Sequence, residues 1–240
     1  NTGASQDRKL VLIILRGAMD GIAALPKIDD PDIRSHRASL VDAKAISLSD
    51  GFALHSAMPT LAAMYASKEA AFVPSIAGPY RERSHFEAQD LLECGEIAKV
   101  SADGWLNRAL QKAPGAYSAV SIGPSQPLIL RGASTKTSSW SPAVLPEASD
   151  DTLARLLDLY ENDPILKPAL VSALGADSVA GVMETKAMGG GRGGSAQYVT
   201  QLEAAGKFLA QPGGPEIAVV SLEGWDTHTG QNAALQQRFT

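Results

Sequence analysis

A doubly wound, mostly parallel α/β sheet flanked by helices is the fold class this sequence predicts, on three observations. Short β-branched runs alternate with stretches of helical spacing, which is the pattern of βαβ units. No repeat period is visible. The 240 residues are 45% hydrophobic and 20% charged, enough to bury a large core. Residues 1–240 are read as one α/β domain, with a polar lead over residues 1–9 left after a removed signal.

The elements follow in order. Leu10-Val-Leu-Ile-Ile-Leu15 is short, rich in β-branched residues and followed by Arg16-Gly17, so it predicts a buried first strand. Asp29-Asp30-Pro31-Asp32 predicts a loop. Ser56 to Glu69 places Met58, Leu61, Ala62 and Tyr65 on one helical face, with Pro59 in the first turn. Ala70 to Ile76 predicts a strand closed by Gly78-Pro79. Helices are expected over His85 to Cys94 and Gly104 to Lys112, then short apolar segments at Tyr117 to Ile122 and Pro127 to Leu130. Ser134 to Ser141 reads as polar loop. Two further helical faces follow, Leu153-Leu156-Leu157-Tyr160 and Tyr198-Leu202-Ala205-Leu209. Ile217 to Leu222 predicts the last strand, and the chain ends about ten residues into the helix expected after it, so further strands are expected beyond.

Charge and composition narrow the function classes. Lys and Arg total 21 against 26 acids, for a net charge of −5, and neither half of the chain is basic. With 5 Phe, 3 Trp and 5 Tyr and no basic-aromatic stripe, nucleic-acid binding is not expected. The lone Cys94 permits neither an internal disulfide nor a thiolate zinc cluster, and it reads as a small core residue. The longest apolar run, Leu10 to Leu15, is far short of the ~20 residues that span a bilayer, so no transmembrane segment is expected.

In open α/β sheets the ligand site lies beyond the carboxyl ends of the strands, which directs attention to three segments. In Arg16-Gly-Ala-Met-Asp20-Gly21 a carboxylate between two glycines is either a hard-cation ligand or a turn aspartate. In Arg81-Glu-Arg83-Ser84-His85-Phe-Glu87, Ser84 and Glu87 form a capping box, while Arg81 and Arg83 beside a helix start also suit an anion. Ser84 is a nucleophile only if a base or metal activates it, and His85 is the nearest base. In Asp226-Thr227-His228, extended backbone turns a carboxylate and an imidazole to one side, where both can face one cation. Such a site needs three or four protein ligands, so Asp20, His85 or residues beyond the chain must complete it. Gly189 to Gly194 lacks the Lys-Ser/Thr ending and preceding strand of a phosphate loop and reads as a flexible loop. His36 and His55 read as ordinary surface or helix-start histidines.

Taken together, Arg16-Gly-Ala-Met-Asp-Gly21, Gly51-Phe-Ala-Leu-His55, Arg83-Ser-His-Phe-Glu-Ala-Gln-Asp90, Asp103-Gly-Trp-Leu-Asn-Arg108 and Gly224-Trp-Asp-Thr-His228 are specific in wording and order. On them the sequence resembles the bacterial domain-of-unknown-function family 1501, over residues 10 to 231. Its members typically carry a twin-arginine export signal, which implies a periplasmic or secreted location. The family is distantly similar to the alkaline phosphatase and sulfatase superfamily, and 240 residues would be the N-terminal two-thirds of a larger domain of that kind. The resemblance implies Asp20, Asp226 and His228 on a divalent metal (zinc, manganese or calcium), Ser84 as nucleophile, His85 beside it, and Arg81 and Arg83 on the oxygens of the transferred group. The phosphatase D-S-A and sulfatase C/S-x-P-S-R contexts are both missing around Ser84, and the family's F-G-R region with a later Asp-His pair is not in this chain. The expected function is a metal-dependent hydrolase of phosphate or sulfate esters with a small anionic ester as substrate. The alternative is a non-catalytic periplasmic or cell-surface binding protein with an exported protein partner. A sheet cut after its last strand exposes apolar surface, so self-association into a homo-oligomer is also expected.

Overall fold

A computed structural model of the chain describes residues 8–113, 117–134, 136–141, 150–180 and 195–240. The contacts divide the chain into two compact units, Asn1–Ile14 with Phe86–Glu223, and Leu15–His85 with Gly224–Thr240. The Gly189 to Gly194 run lies outside the described residues.

The first unit is built on a four-stranded sheet flanked by helices, an α/β architecture as the alternation of strand and helix signals predicts. Its strands are β1 (Leu10–Leu15), β4 (Ala119–Ile122), β5 (Thr137–Trp140) and β6 (Ile217–Leu222), ordered β1-β6-β4-β5. β4 runs parallel to both neighbours, with Val120 opposite Ser138 on one side and Ala218 on the other. β4 is buried throughout, and Ala218 to Leu222 of β6 likewise, because each has a strand on both sides and helices over its surface. Helix α8 (Ser195–Ala210) packs on β4 and β6, and α7 (Leu166–Ala180) on β5. Helix α5 (Trp105–Lys112) sends Leu106 and Leu110 into a cluster with Ala119, Ile129, Leu130 and Val219. Helices α4 (His85–Cys94) and α6 (Asp150–Leu159) stand where their apolar spacing puts them, and Cys94 is buried.

Asn107 of α5 is fully buried and joins three segments. Its Nδ2 donates to the Leu130 carbonyl at 2.8 Å, while Oδ1 accepts from the Ser134 N–H at 3.0 Å and Gln111 Nε2 at 2.9 Å. Gly132 passes so close that a Cβ there would lie 2.4 Å from this oxygen, at a φ of +142° that already favours glycine.

The second unit contains the short helices α1 (Gly21–Ala24) and α2 (Pro31–His36), an antiparallel pair β2 (Ile46–Ser47) and β3 (Ala53–Leu54), α3 (Pro59–Ala66) and the last helix α9 (Gln231–Phe239). Ala53, Leu54, Trp225 and Leu235 are buried, and Phe239 packs its ring on those of Trp225 and His55 at 5.5 and 5.2 Å. His55 is not a surface histidine: it is buried, and its Nδ1 accepts from the Ala57 N–H at 3.2 Å. Asp42 stands beside it, 3.7 Å from Nδ1, accepting from the Ser56 N–H at 2.8 Å and the Lys44 N–H at 2.9 Å. Burial pulls the Asp42 carboxyl upward, but the hydrogen bonds from Ser56 and Lys44, with His55 nearby, outweigh it and hold it below the usual aspartate value.

Four expectations are corrected. β1 is not buried: it ends the sheet, and Leu10, Val11 and Ile13 are all exposed. Asp29 to Asp32 is a helix start rather than a loop, with Asp30 capping the N–H groups of Asp32 and Ile33 and Pro31 in the first position. Ala70 to Ile76 forms no strand, because a strand needs a ladder partner and none lies beside it among the described residues; Val73 and Ile76 are exposed. Ser134 to Ser141 is not all loop, since pairing with β4 organises Thr137 to Trp140 into β5 despite its polar sequence.

Two outcomes follow from these contacts. Asn107→Ala leaves the Leu130 carbonyl and the Ser134 N–H without their partner and lowers the unfolding free energy in urea by about 2–3 kcal/mol. The lowered Asp42 carboxyl stabilises the fold while it is ionised, so that contribution is complete above its unfolded value and fades as pH drops through the folded one. The stability difference between wild type and Asp42→Asn is therefore level between pH 7 and about 5 and shrinks below about 4, measured by urea titration across that range.

Candidate metal centre

The segment after β6 turns at Gly224 and is pinned at Trp225. Its N–H donates to the Arg16 carbonyl at 2.9 Å and its side chain is buried. Gly17 is what lets the two stretches approach. A Cβ at residue 17 would lie 2.3 Å from the Asp226 nitrogen and 2.8 Å from the Trp225 carbonyl carbon, and φ there is +113°. With Trp225 anchored inward, Asp226 and His228 emerge together, as alternation along extended backbone predicts.

His85, the first residue of α4, meets them. The Asp226 carboxylate lies between two imidazoles, Oδ1 at 3.0 Å from His228 Nε2 and Oδ2 at 3.8 Å from His85 Nε2. The two rings are 5.8 Å apart. One donor atom from each residue falls within 4.8 Å of the others. Tetrahedral donors about 2.0–2.1 Å from a zinc ion are about 3.3 Å from one another, so these donors would have to draw together only modestly to hold one. Two imidazoles and a carboxylate are also the donor chemistry of three-ligand catalytic zinc sites, which keep an open position. His85 is 19% exposed by side chain, Asp226 39% and His228 78%, so the group opens outward to solvent on the His228 side.

The other residues singled out in the sequence stand as follows. Asp20 is outside this group, and its carboxylate is fully engaged. Oδ1 caps α1 through the Ile22 and Ala23 N–H groups at 3.0 and 3.3 Å, while Oδ2 accepts from Arg37 and, at 2.8 Å, from Gln231 Nε2. Ser84 immediately precedes α4, the position a capping serine takes, and is half-buried. Arg81 and Arg83 are exposed, and the Arg81 guanidinium donates to the Gly78 and Tyr80 carbonyls at 2.7 and 3.0 Å. Sequence spacing singled out Asp226 and His228 directly and His85 as one of several third partners. It gave no sign of the scaffolding partners of Asp20, because Arg37 and Gln231 are 17 and 211 positions away.

No protein-family model, curated protein or solved structure matches the chain.

The Arg16–Gly17–Ala18 turn supplies a contrast between neighbours. Gly17→Ala forces Cβ into the Trp225–Asp226 backbone and lowers stability by about 1–3 kcal/mol in chemical denaturation. Ala18→Gly, at a residue already holding φ +60°, leaves stability unchanged or raises it by up to about 1 kcal/mol.

Proposed function

We propose that the chain belongs to an exported, metal-dependent hydrolase of phosphate or sulfate esters with an alkaline-phosphatase-like core, related to the family its motifs resemble. The observation that carries this reading is the convergence of His85, Asp226 and His228 from segments far apart in the chain onto one outward-facing point. The α/β sheet supports it, because Asp226 and His228 follow directly on a parallel strand, where such folds place ligand sites.

In this reading His85, Asp226 and His228 hold a divalent cation, zinc, manganese or calcium, which supplies Lewis acidity to an ester oxygen and lowers the pKa of a nearby hydroxyl. The remaining work falls to the chain. Asp226 supplies the negative charge of the ligand set, and the imidazoles of His85 and His228 supply neutral nitrogen donors. Ser84, adjacent to His85 in the chain, is the candidate nucleophile: its hydroxyl proton passes to a base as the oxygen bonds to phosphorus or sulfur, and the ester P–O or S–O bond breaks. The leaving alkoxide takes a proton from water, and a second water hydrolyses the serine ester to free acid and Ser84. Arg83 and Arg81 orient the anionic oxygens of the substrate. Asp20, given to the metal by resemblance, acts here as scaffold.

The second reading is a non-catalytic periplasmic or cell-surface binding protein holding one structural cation. It is favoured by Arg81, whose guanidinium is committed to two carbonyls of its own loop.

Protein purified without chelator or affinity nickel is expected to contain about one equivalent of metal, by elemental analysis, or to take it up on zinc titration. Asp226→Ala and His228→Ala each weaken zinc binding by more than about 100-fold. Uptake of none of the three ions overturns both readings. Ser84→Ala then separates them: the hydrolase loses ester cleavage, whereas the binding protein loses only the ~1 kcal/mol of a helix cap.

A further inference from the structure

A cavity of about 200 Å³ opens on the second unit and shares no residue with the His85–Asp226–His228 group. It is too small for a drug-sized ligand, which needs about 300 Å³ or more. Three aromatic rings line it in a chain that is 5% aromatic. Tyr65 and Phe72 stand 5.5 Å apart at 32° and form one wall, and Phe52 supplies a separate ring. The Tyr65 hydroxyl is bonded to Ser49 Oγ at 2.6 Å, which fixes the ring.

The charges around the cavity select its occupant. Phe52 already attracts a cation: Lys27 Nζ lies 5.4 Å from the ring centroid. That ammonium is neutralised by Asp29 at 2.7 Å and further held by the Asp50 carbonyl at 3.0 Å. Asp50 is one of the lining residues and is exposed, and its carboxylate has no ion pair among the described residues, so it adds a negative charge beside the cavity. An anion is repelled there. A primary ammonium is strongly hydrated and has three N–H donors to satisfy again, for which the lining offers side-chain acceptors only in Asp50 and the two joined hydroxyls. A quaternary ammonium has no N–H at all, sheds its weak hydration readily, and is attracted by ring faces and a carboxylate together.

We propose that this cavity binds a quaternary ammonium group, with Phe52, Tyr65 and Phe72 as its cage and Asp50 as its counter-charge. The site is independent of the metal centre.

Calorimetric titration of the full chain compares choline and tetramethylammonium with 3,3-dimethyl-1-butanol, the neutral carbon isostere of choline. Saturable binding of both cations at one site is expected, with the isostere at least about tenfold weaker. Phe52→Leu and Tyr65→Leu each weaken choline by about tenfold, whereas Tyr65→Phe, which keeps the ring and loses only the bond to Ser49, stays within about threefold. Asp50→Asn, on an exposed turn, weakens the cations and leaves the isostere unchanged; this comparison decides the matter if the ring variants do not fold. Asp226→Ala leaves choline binding intact, which separates the cavity from the metal reading. Equal affinity for choline and its isostere would overturn the proposal, leaving a merely apolar cavity, and so would the lack of any saturable binding by the wild type.

Discussion

Gly17 has no side chain, and the Trp225–Asp226 peptide lies in the space where one would be. The candidate centre depends on this close approach. The hydrogen bond from the Trp225 N–H to Arg16, and the burial of the Trp225 ring against Phe239, fix the backbone on one side of Asp226. The side chains of Asp226 and His228 then leave that fixed backbone toward solvent. A rigid anchor under an open set of donors is what a ligand-binding group requires, because disorder in the donors would cost entropy each time a ligand bound. Substituting the glycine would move the anchor rather than any donor.

Asp20 performs a different service with the same chemical group. Its two oxygens take two backbone N–H groups, a guanidinium and an amide, tying α1 to Arg37 at the end of α2 and to the first residue of α9. Hydrogen bonds to an ionised carboxylate are about twice as strong as neutral ones, and a cation would have to replace several of them at once. Among the described residues, the Asp226 carboxylate pairs with the two imidazoles that would share the ion. Of the two aspartates, Asp226 is therefore the better placed to give up its present contacts, and Asp20 the better placed to hold helices.

The parts of the fold legible in the sequence are those whose signal is local. Helices α4, α5 and α8 and strand β6 stand where the sequence predicts them, and β4 lies within the apolar segment Tyr117 to Ile122, although the buried face of α8 takes in Gln201, Ala204 and Phe208 and leaves Leu202 of the expected face exposed. What failed depends on neighbours. β1 and Ala70 to Ile76 both read as strands, yet one ends a sheet and the other pairs with nothing described, since pairing is settled by distant chain. Thr137 to Trp140 is polar and still a strand because β4 offers it a ladder. The site divides the same way: Asp226 and His228 are two residues apart, whereas His85 joins them only through folding.

The charge of the donor set bears on what the proposed centre would accept. One carboxylate and two neutral imidazoles do not cancel a divalent cation, so a loaded centre of this composition keeps a net positive charge. The whole chain carries −5, which opposes an approaching anionic ester at long range. Screening limits that opposition to about 8–10 Å at physiological ionic strength, so the groups nearest the donors decide the outcome. Arg81 and Arg83 precede His85 by four and two residues and are both exposed, which places cationic groups next to the centre in the chain. A second carboxylate in the donor set, as the assignment of Asp20 beside Asp226 would add, would cancel the remaining charge of a divalent cation and erase that local advantage. Keeping Asp20 within the scaffold is thus consistent with a centre meant for anions.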